Sequence, residues 1–349
     1  MHSRTARRYL PPEWAPQSGT LLTWPHAKTD WAKTLERVES VYLVLTSHIS
    51  RRQRALIVCH DHPHLAHVRE RLADAQIDLH RITLHVSPSN DTWARDHGPI
   101  TVLERGQPRL LDFRFNGWGG KHQADLDNLI TSRLHQNKAF GTTPREAVDL
   151  VLEGGSIEVD GAGTLLTTRR CTLSPTRNPS LTVPALEERF NKLFGVERIL
   201  WLQQGSIPGD DTDGHIDTLA RFCDEHTIAY ASPHENDECA PALVAMRNEL
   251  AAFRTRAGRP YRLVPLPCPA PIYDSGGQRL PATYANFLII NGTVLVPCYQ
   301  DPADREALER MAICFPEREI VAVDARLLVN QGGSIHCSAM HLPAGVLDS

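Results

Sequence analysis

The chain has no Cys-x-x-Cys pair, no apolar run long enough to cross a membrane and no surplus of basic charge. Each absence excludes something. Eight cysteines (59, 171, 223, 239, 268, 298, 314 and 337) are scattered over 349 residues, whereas a disulfide framework belongs to small secreted chains. They read as mostly reduced, buried thiols. Without a membrane-spanning run, and with an N-terminus (Met1 to Arg8) that is basic but lacks the apolar core of a signal peptide, the expectation is a cytoplasmic protein. A formal net charge of −4 argues against nucleic-acid binding, which normally shows a basic surplus or stripe. The densest basic run, Arg51-Arg52-Gln53-Arg54, is too short to alter that and reads as a solvated helix end. No His-Glu-x-x-His occurs, nor any Cys/His pair at zinc-finger spacing. No stretch is low-complexity or rich enough in Pro, Gly and Ser to be a linker, so the expectation is a single domain over 1–349.

With 41% apolar residues the chain can bury a sizeable core. Gly19 to Trp24 reads as a strand, Trp31 to Ile49 as a helix with Leu35, Val38, Tyr42 and Leu45 on one face, and Ala55 to Cys59 as a buried strand. A helix over about Leu65–Ala75 and a strand over Ile82–Val86 follow. Strands at Ile100–Leu103 and Arg109–Phe115 come next. Hairpins are expected at Ser156–Thr168, Thr218–Ala231 and Ala285–Pro297, the last around Asn291-Gly292, a strong hairpin signal. Helices at about Pro184–Phe194, Pro241–Arg256 and Asp304–Phe315 separate them. Recurring hairpin, helix and strand units predict an internally repeated α/β ring. His60, His62, His64 and His67 cluster after a strand, but the plainer reading is a solvated loop and helix start rather than a metal site.

Four polar knots stand out: Thr92 to Pro99, Glu153 to Ile157, Gly209 to Asp217 and Gln331 to Cys337. Gly-Gly-Ser-Ile appears in the second and again in the fourth. In a ring, inner loops meet at the centre, so distant knots could share one pocket. A free thiol is only a few per cent thiolate at neutral pH and needs a base or a cationic neighbour. For Cys337 the better partner is His215, which sits among acids; His336 is adjacent but would point to the opposite face of an extended segment. Asp96, Glu153 and Asp217, with Asp211 and Asp213 nearby, are too many negative charges to gather without a cation. A planar guanidinium offers each a charge-assisted hydrogen bond. The Asp-rich loop misses the EF-hand pattern because Gly209 stands where its first Asp should be. Taken singly, each knot is as well explained by a turn, a cap or core filler.

Together they resemble the agmatine deiminases, members of the guanidino-group-modifying superfamily. The shared runs are Glu13-Trp14, Thr23 to His26, Trp93 to Asp96, Arg114 to Gly120, Glu153 to Ser156, Asp211 to Asp217 and Ile335 to Cys337. The resemblance implies a pseudo-fivefold α/β propeller, the pentein fold. It implies that Cys337 attacks the guanidinium carbon, ammonia leaves, and water hydrolyses the thiouronium, giving N-carbamoylputrescine from agmatine. His215 would be general acid and base, Asp96 and Asp217 would grip the guanidinium nitrogens, and Glu153 would hold the substrate and pair with His215. Trp93 and Trp118 would wall the pocket. No metal or organic cofactor is implied, and a homodimer is expected by analogy. The chain departs from the family where Gln331-Gly332-Gly333-Ser334 replaces Gly-Gly-Gly-Asn and Ser338 to His341 replace glutamines. Those flanks bear on the substrate, so peptidylarginine and free-arginine deimination stand as alternatives, beside a silent binding propeller and a metal-dependent amidohydrolase using His215 and Asp217.

Overall fold

A computed structural model describes residues 8–234 and 236–347, so Met1 to Arg7 of the basic N-terminal stretch lie outside the described residues. The chain packs as two compact units, each built from two separate stretches. One comprises Ala15–Gly154 and the segment from Cys337 onward; the other comprises Arg8–Trp14 and Gly155–His336.

In the first unit, Gln17–Thr23 pairs antiparallel with Ala339–Pro343 on one side and parallel with Arg54–Cys59 on the other, and Ile82–Val86 extends the parallel edge. Leu21, Leu22 and Ala55 to Cys59 are fully buried. The helix Leu35–Arg52 crosses between the two central strands and buries Val38, Tyr42, Leu45 and Ile49, a stripe at helical spacing. Its expected first turn is instead a separate 3₁₀ turn, Asp30–Thr34, because the Thr29 hydroxyl caps the Trp31 N–H at 3.2 Å. A second sheet holds the antiparallel pair Ile100–Glu104 and Gln107–Arg114, with Arg145–Val151 parallel to the latter. The hairpin turns on Arg105 and Gly106, both at positive φ, the geometry a two-residue turn needs to match strand twist.

The second unit repeats that pattern three times. Ile157–Val159 and Thr164–Thr168 are antiparallel, and Arg198–Leu202 returns parallel after the helix Val183–Phe194. Ala220–Phe222 and Thr227–Ser232 are followed by the helix Ala240–Ala252 and the parallel strand Arg262–Pro267. Leu288–Ile290 and Thr293–Cys298 are followed by the helix Ala303–Cys314 and the parallel strand Glu319–Asp324. An antiparallel pair, a crossover helix and a parallel third strand thus recur. The expected hairpins and helices are present with ends shifted by a few residues. The returning third strands are additions to the sequence reading. They lie on sheet edges, and Glu319–Asp324 buries only Val323, although Ile199–Leu202 and Ile320–Val323 are short apolar runs of a length that does not by itself mark a strand. Among the described residues, no helix is long and apolar enough to cross a membrane.

Candidate functional site

Each unit contributes candidate residues, and each set is positioned by its own local structure.

In the first unit Asp96 sits in a single helical turn, Ala94–His97, and is buried. Its Oδ2 accepts the Trp118 indole N–H at 3.0 Å. Trp118 lies in the turn Gly117–Gly120 at φ 56°, ψ 47°, a left-handed conformation that costs a non-glycine residue roughly 1–2 kcal/mol. Asn116 holds the turn by accepting the Gly119 N–H at 2.9 Å, and a Cβ on Gly117 would meet the His122 carbonyl at 2.1 Å. The strained backbone therefore aims the indole at Asp96, with Phe115 and His122 edge-on to its ring at 5.0 and 5.4 Å. Trp93 is buried too, but its N–H goes to Asp91 Oδ2 at 2.9 Å and its ring tilts against Trp31.

Glu153 is fully buried. Gly154, next to it, has no room for a side chain: a Cβ there would lie 2.2 Å from the Arg95 carbonyl oxygen. Cys337 is 7% exposed, and its own carbonyl accepts the Arg95 N–H at 3.1 Å. Two residues later the strand Ala339–Pro343 begins. The Arg95 guanidinium turns to His341 Nδ1 at 3.0 Å and the Met340 sulfur at 3.8 Å. Arg114 pairs with Asp149 at the surface, and Lys121 is exposed.

In the second unit the Asp-rich loop sorts into parts. Asp210 is an organiser: Oδ1 accepts the Thr212 N–H and Oδ2 the Gly214 N–H, at 3.0 and 2.7 Å. Asp213, at φ 67°, pairs with the buried Arg177 at 2.7 Å, and Arg177 also donates to the Thr212 carbonyl. The Thr168 hydroxyl ties the loop to its sheet through the Gly214 carbonyl at 2.7 Å. His215 follows, with its N–H on the Thr212 hydroxyl at 3.0 Å, and is 1% exposed. Asp217 lies in the 3₁₀ turn Ile216–Thr218 with no exposed surface. Burial would raise its pKa, but a hydrogen bond and charge from His336, then the charges of His215 and Arg221, hold it below the ordinary carboxylate value. Asp217 is thereby kept ionised.

Sequence reasoning passed over one constellation here. The His336 ring bridges Asp217 Oδ2 and Glu13 Oε2, each at 2.7 Å. Glu13 also meets Arg221 at 3.1 Å, and Arg221 pairs with Glu158. All five groups are buried. The signal was present in Glu13-Trp14 and Ile335-His336-Cys337, but a side chain one position from a candidate nucleophile draws attention to the nucleophile.

The two Gly-Gly-Ser-Ile runs are not equivalent. Gly154–Ser156 forms a 3₁₀ turn leading into a strand. Gly332, at φ 80°, instead closes the turn after the helix Arg326–Val329. The histidines after the second strand form a clasp. The His60 N–H donates to His64 Nδ1, the Ser89 N–H donates to His60 Nδ1, and His26 stacks on His60 at 4.1 Å.

Residues 9–343 match the Porphyromonas-type peptidyl-arginine deiminase family. An agmatine deiminase of Pseudomonas savastanoi pv. phaseolicola is 32% identical, over 96% of this chain and 95% of its own. Among solved structures, a candidate arginine deiminase from Porphyromonas gingivalis is 47% identical with a TM-score of 0.91, covering 98% of this chain and all of its own. A C. jejuni agmatine deiminase, a cysteine-to-serine variant with substrate bound, is 36% identical with a TM-score of 0.90, covering 99% of each chain. An amidinotransferase at 10% identity and a TM-score of 0.54 shares the fold alone. Five small mixed α/β sheets of one repeated pattern are thus the pentein fold that the sequence led us to expect.

Proposed function

Because the chain belongs to the Porphyromonas-type peptidyl-arginine deiminase family, we propose that it is a hydrolase that deiminates agmatine to N-carbamoylputrescine and ammonia. The thiolate of Cys337 attacks the guanidinium carbon, and the tetrahedral adduct expels ammonia, which takes its proton from His215. The thiouronium that results is attacked by water, which His215 deprotonates; the C–S bond breaks, the thiolate returns and the ureido product leaves. Asp96 and Asp217 hold guanidinium nitrogens, and the bound cation favours the thiolate. Glu153 holds the substrate and pairs with His215, and Trp93 and Trp118 wall its aliphatic chain. The reading takes the protein to be a single cytoplasmic catalytic domain that forms homodimers and uses no metal or organic cofactor.

The observation that carries this reading is the full-length likeness to agmatine deiminases, together with a substrate-bound cysteine-to-serine variant of one of them. For the far end of the substrate, the argument is electrostatic. A buried α-carboxylate without a cationic partner is expensive. In the unit that holds Asp96, Arg95 is engaged with His341 and Met340, Arg114 with surface Asp149, and Lys121 is exposed. An ammonium needs no such partner and suits acids and indole faces.

The second reading, with free or peptidyl arginine as substrate, draws on the family's description and on the candidate arginine deiminase at 47% identity. Ammonia and ureido product from agmatine, arginine and an arginine peptide, measured side by side, separate the two. We expect kcat/KM for agmatine at least about a hundredfold above either competitor, a gap of about 2.7 kcal/mol. Equal or faster citrulline formation would overturn the substrate and leave the deiminase chemistry standing.

A further inference from the structure

We propose that His336 is a positioning residue, locked between Asp217 and Glu13, that fixes the Asp217 carboxylate for a guanidinium. This rests on the deiminase reading above, which gives Asp217 to the substrate; the reading itself assigns His336 no role.

The geometry determines the ring's protonation. Nδ1 lies 2.7 Å from Asp217 Oδ2, and Nε2 lies 2.7 Å from Glu13 Oε2. A neutral imidazole has one donor and one acceptor, so one of those contacts would set a lone pair against a carboxylate lone pair. Glu13 is held as the carboxylate by the Arg221 guanidinium against it, since a neighbouring cation favours the charged form. Oε1 takes the Ile289 N–H at 2.8 Å, and Oε2 takes an Arg221 N–H at 3.1 Å. Both ring nitrogens therefore donate, and His336 is the imidazolium.

The ring's own backbone is pinned as well. The His336 N–H reaches Asn286 Oδ1 at 3.0 Å, and the Asn286 side chain donates to the Asp217 carbonyl at 3.4 Å. One asparagine thus ties residues 217 and 336 together through their main chains, while the imidazolium ties their side chains. Behind Glu13, Arg221 is closed in by Glu158, by the Phe287 carbonyl at 2.8 Å and by the Phe287 ring, whose centroid is 4.7 Å from its guanidinium carbon. The assembly is buried throughout. Its three carboxylates, Glu13, Glu158 and Asp217, face two cations, Arg221 and His336, so the set carries one net negative charge. That is the complement of a bound guanidinium. A fixed carboxylate plane also favours a planar fork of N–H donors over a compact ammonium, because it rewards bidentate geometry.

The test is His336→Asn, assayed with agmatine across pH, with circular dichroism and thermal melting as fold controls. Asparagine fills part of the space but offers Asp217 at most a neutral amide donor. A charge-assisted hydrogen bond is lost, so kcat/KM should fall roughly 10- to 100-fold, mostly through KM. The acid limb of the kcat/KM profile should also move to higher pH. The sign follows from the environment of Asp217: burial raises its pKa and His336 is the strongest influence opposing it, ahead of His215 and Arg221. Without His336, the carboxylate takes up its proton at higher pH. Glu13→Gln is the second variant and serves if His336→Asn does not fold. It leaves the ring in place but removes one of the two carboxylates that require both nitrogens to donate, so it should move the limb in the same direction by less. A folded variant with wild-type KM and an unmoved acid limb overturns the positioning role. A wild-type enzyme without deiminase activity would instead sink the reading on which the inference rests, so the two failures are distinguishable.

Discussion

Replacing Trp118 by Phe removes one atom pair that matters and little else. The indole N–H donates to Asp96 Oδ2 at 3.0 Å, and both residues are buried. Phe retains an aromatic ring against Phe115 and His122 and adopts the same left-handed backbone at the same cost. What is lost is a hydrogen bond to an ionised acceptor, worth about 1.5–3 kcal/mol. If Asp96 grips the substrate's guanidinium, that loss appears as a fall in kcat/KM of roughly 10- to 150-fold. The assay is initial-rate ammonia release from agmatine. The matched control is Trp31→Phe, which also deletes an indole donor to a carboxylate, the half-buried Asp91, at 3.0 Å. Asp91 keeps the donors of Trp93 and Thr92, so the control should cost about 1 kcal/mol of stability and spare kcat/KM. If Trp118→Phe keeps kcat/KM within about twofold of wild type, a change worth under roughly 0.5 kcal/mol, the indole does not orient Asp96 and the argument from its strained turn fails.

Changing Cys337→Ser should leave the melting temperature close to wild type and abolish turnover by several orders of magnitude. Chelator should leave the wild type active, and loss of activity with chelator alone would point to a metal mechanism instead. Gly154→Ala forces a methyl against the Arg95 carbonyl, 2.2 Å from the ideal Cβ; overpacking of this kind costs about 1–3 kcal/mol, read by chemical denaturation, and an unchanged midpoint would refute it. His97 is buried, and burial lowers its pKa to about 3. The unfolded chain binds that proton near pH 6.5 while the folded chain refuses it, so stability should fall as pH drops from about 6.5 toward 3. His97→Gln should flatten that slope, and an equal slope in both proteins would show that other groups govern it.

The central strands and most helices were legible because their apolar residues recur at the spacing their burial requires. Arg54–Cys59, with five of its six residues buried, is an example. The returning edge strands were passed over although Ile199–Leu202 and Ile320–Val323 are apolar, because so short a run does not by itself separate a strand from a helix segment. In the candidate site, the acids could be counted from sequence but not sorted. Asp210 and Asp213 resemble Asp217 as letters, yet their partners (backbone amides for one, Arg177 for the other) make them builders of the loop. The roles of Glu13 and His336 depend on groups some 320 residues apart along the chain, which no local pattern encodes.

The pairing of Ala339–Pro343 with Gln17–Thr23 has a consequence for biosynthesis. The Ser18 hydroxyl meets the Pro343 carbonyl across 325 residues of chain, and Cys337 enters its unit on the same segment. During translation the strand 17–23 emerges before its partner 339–343 and waits with an open hydrogen-bonding edge until the residues between them have been made. Such an edge invites pairing with the wrong chain, and contacts of this separation form slowly. A nascent chain therefore carries every acid of the candidate site before it carries the thiol. On the proposed mechanism, the competence to form a covalent adduct arrives together with the strand that closes the first sheet.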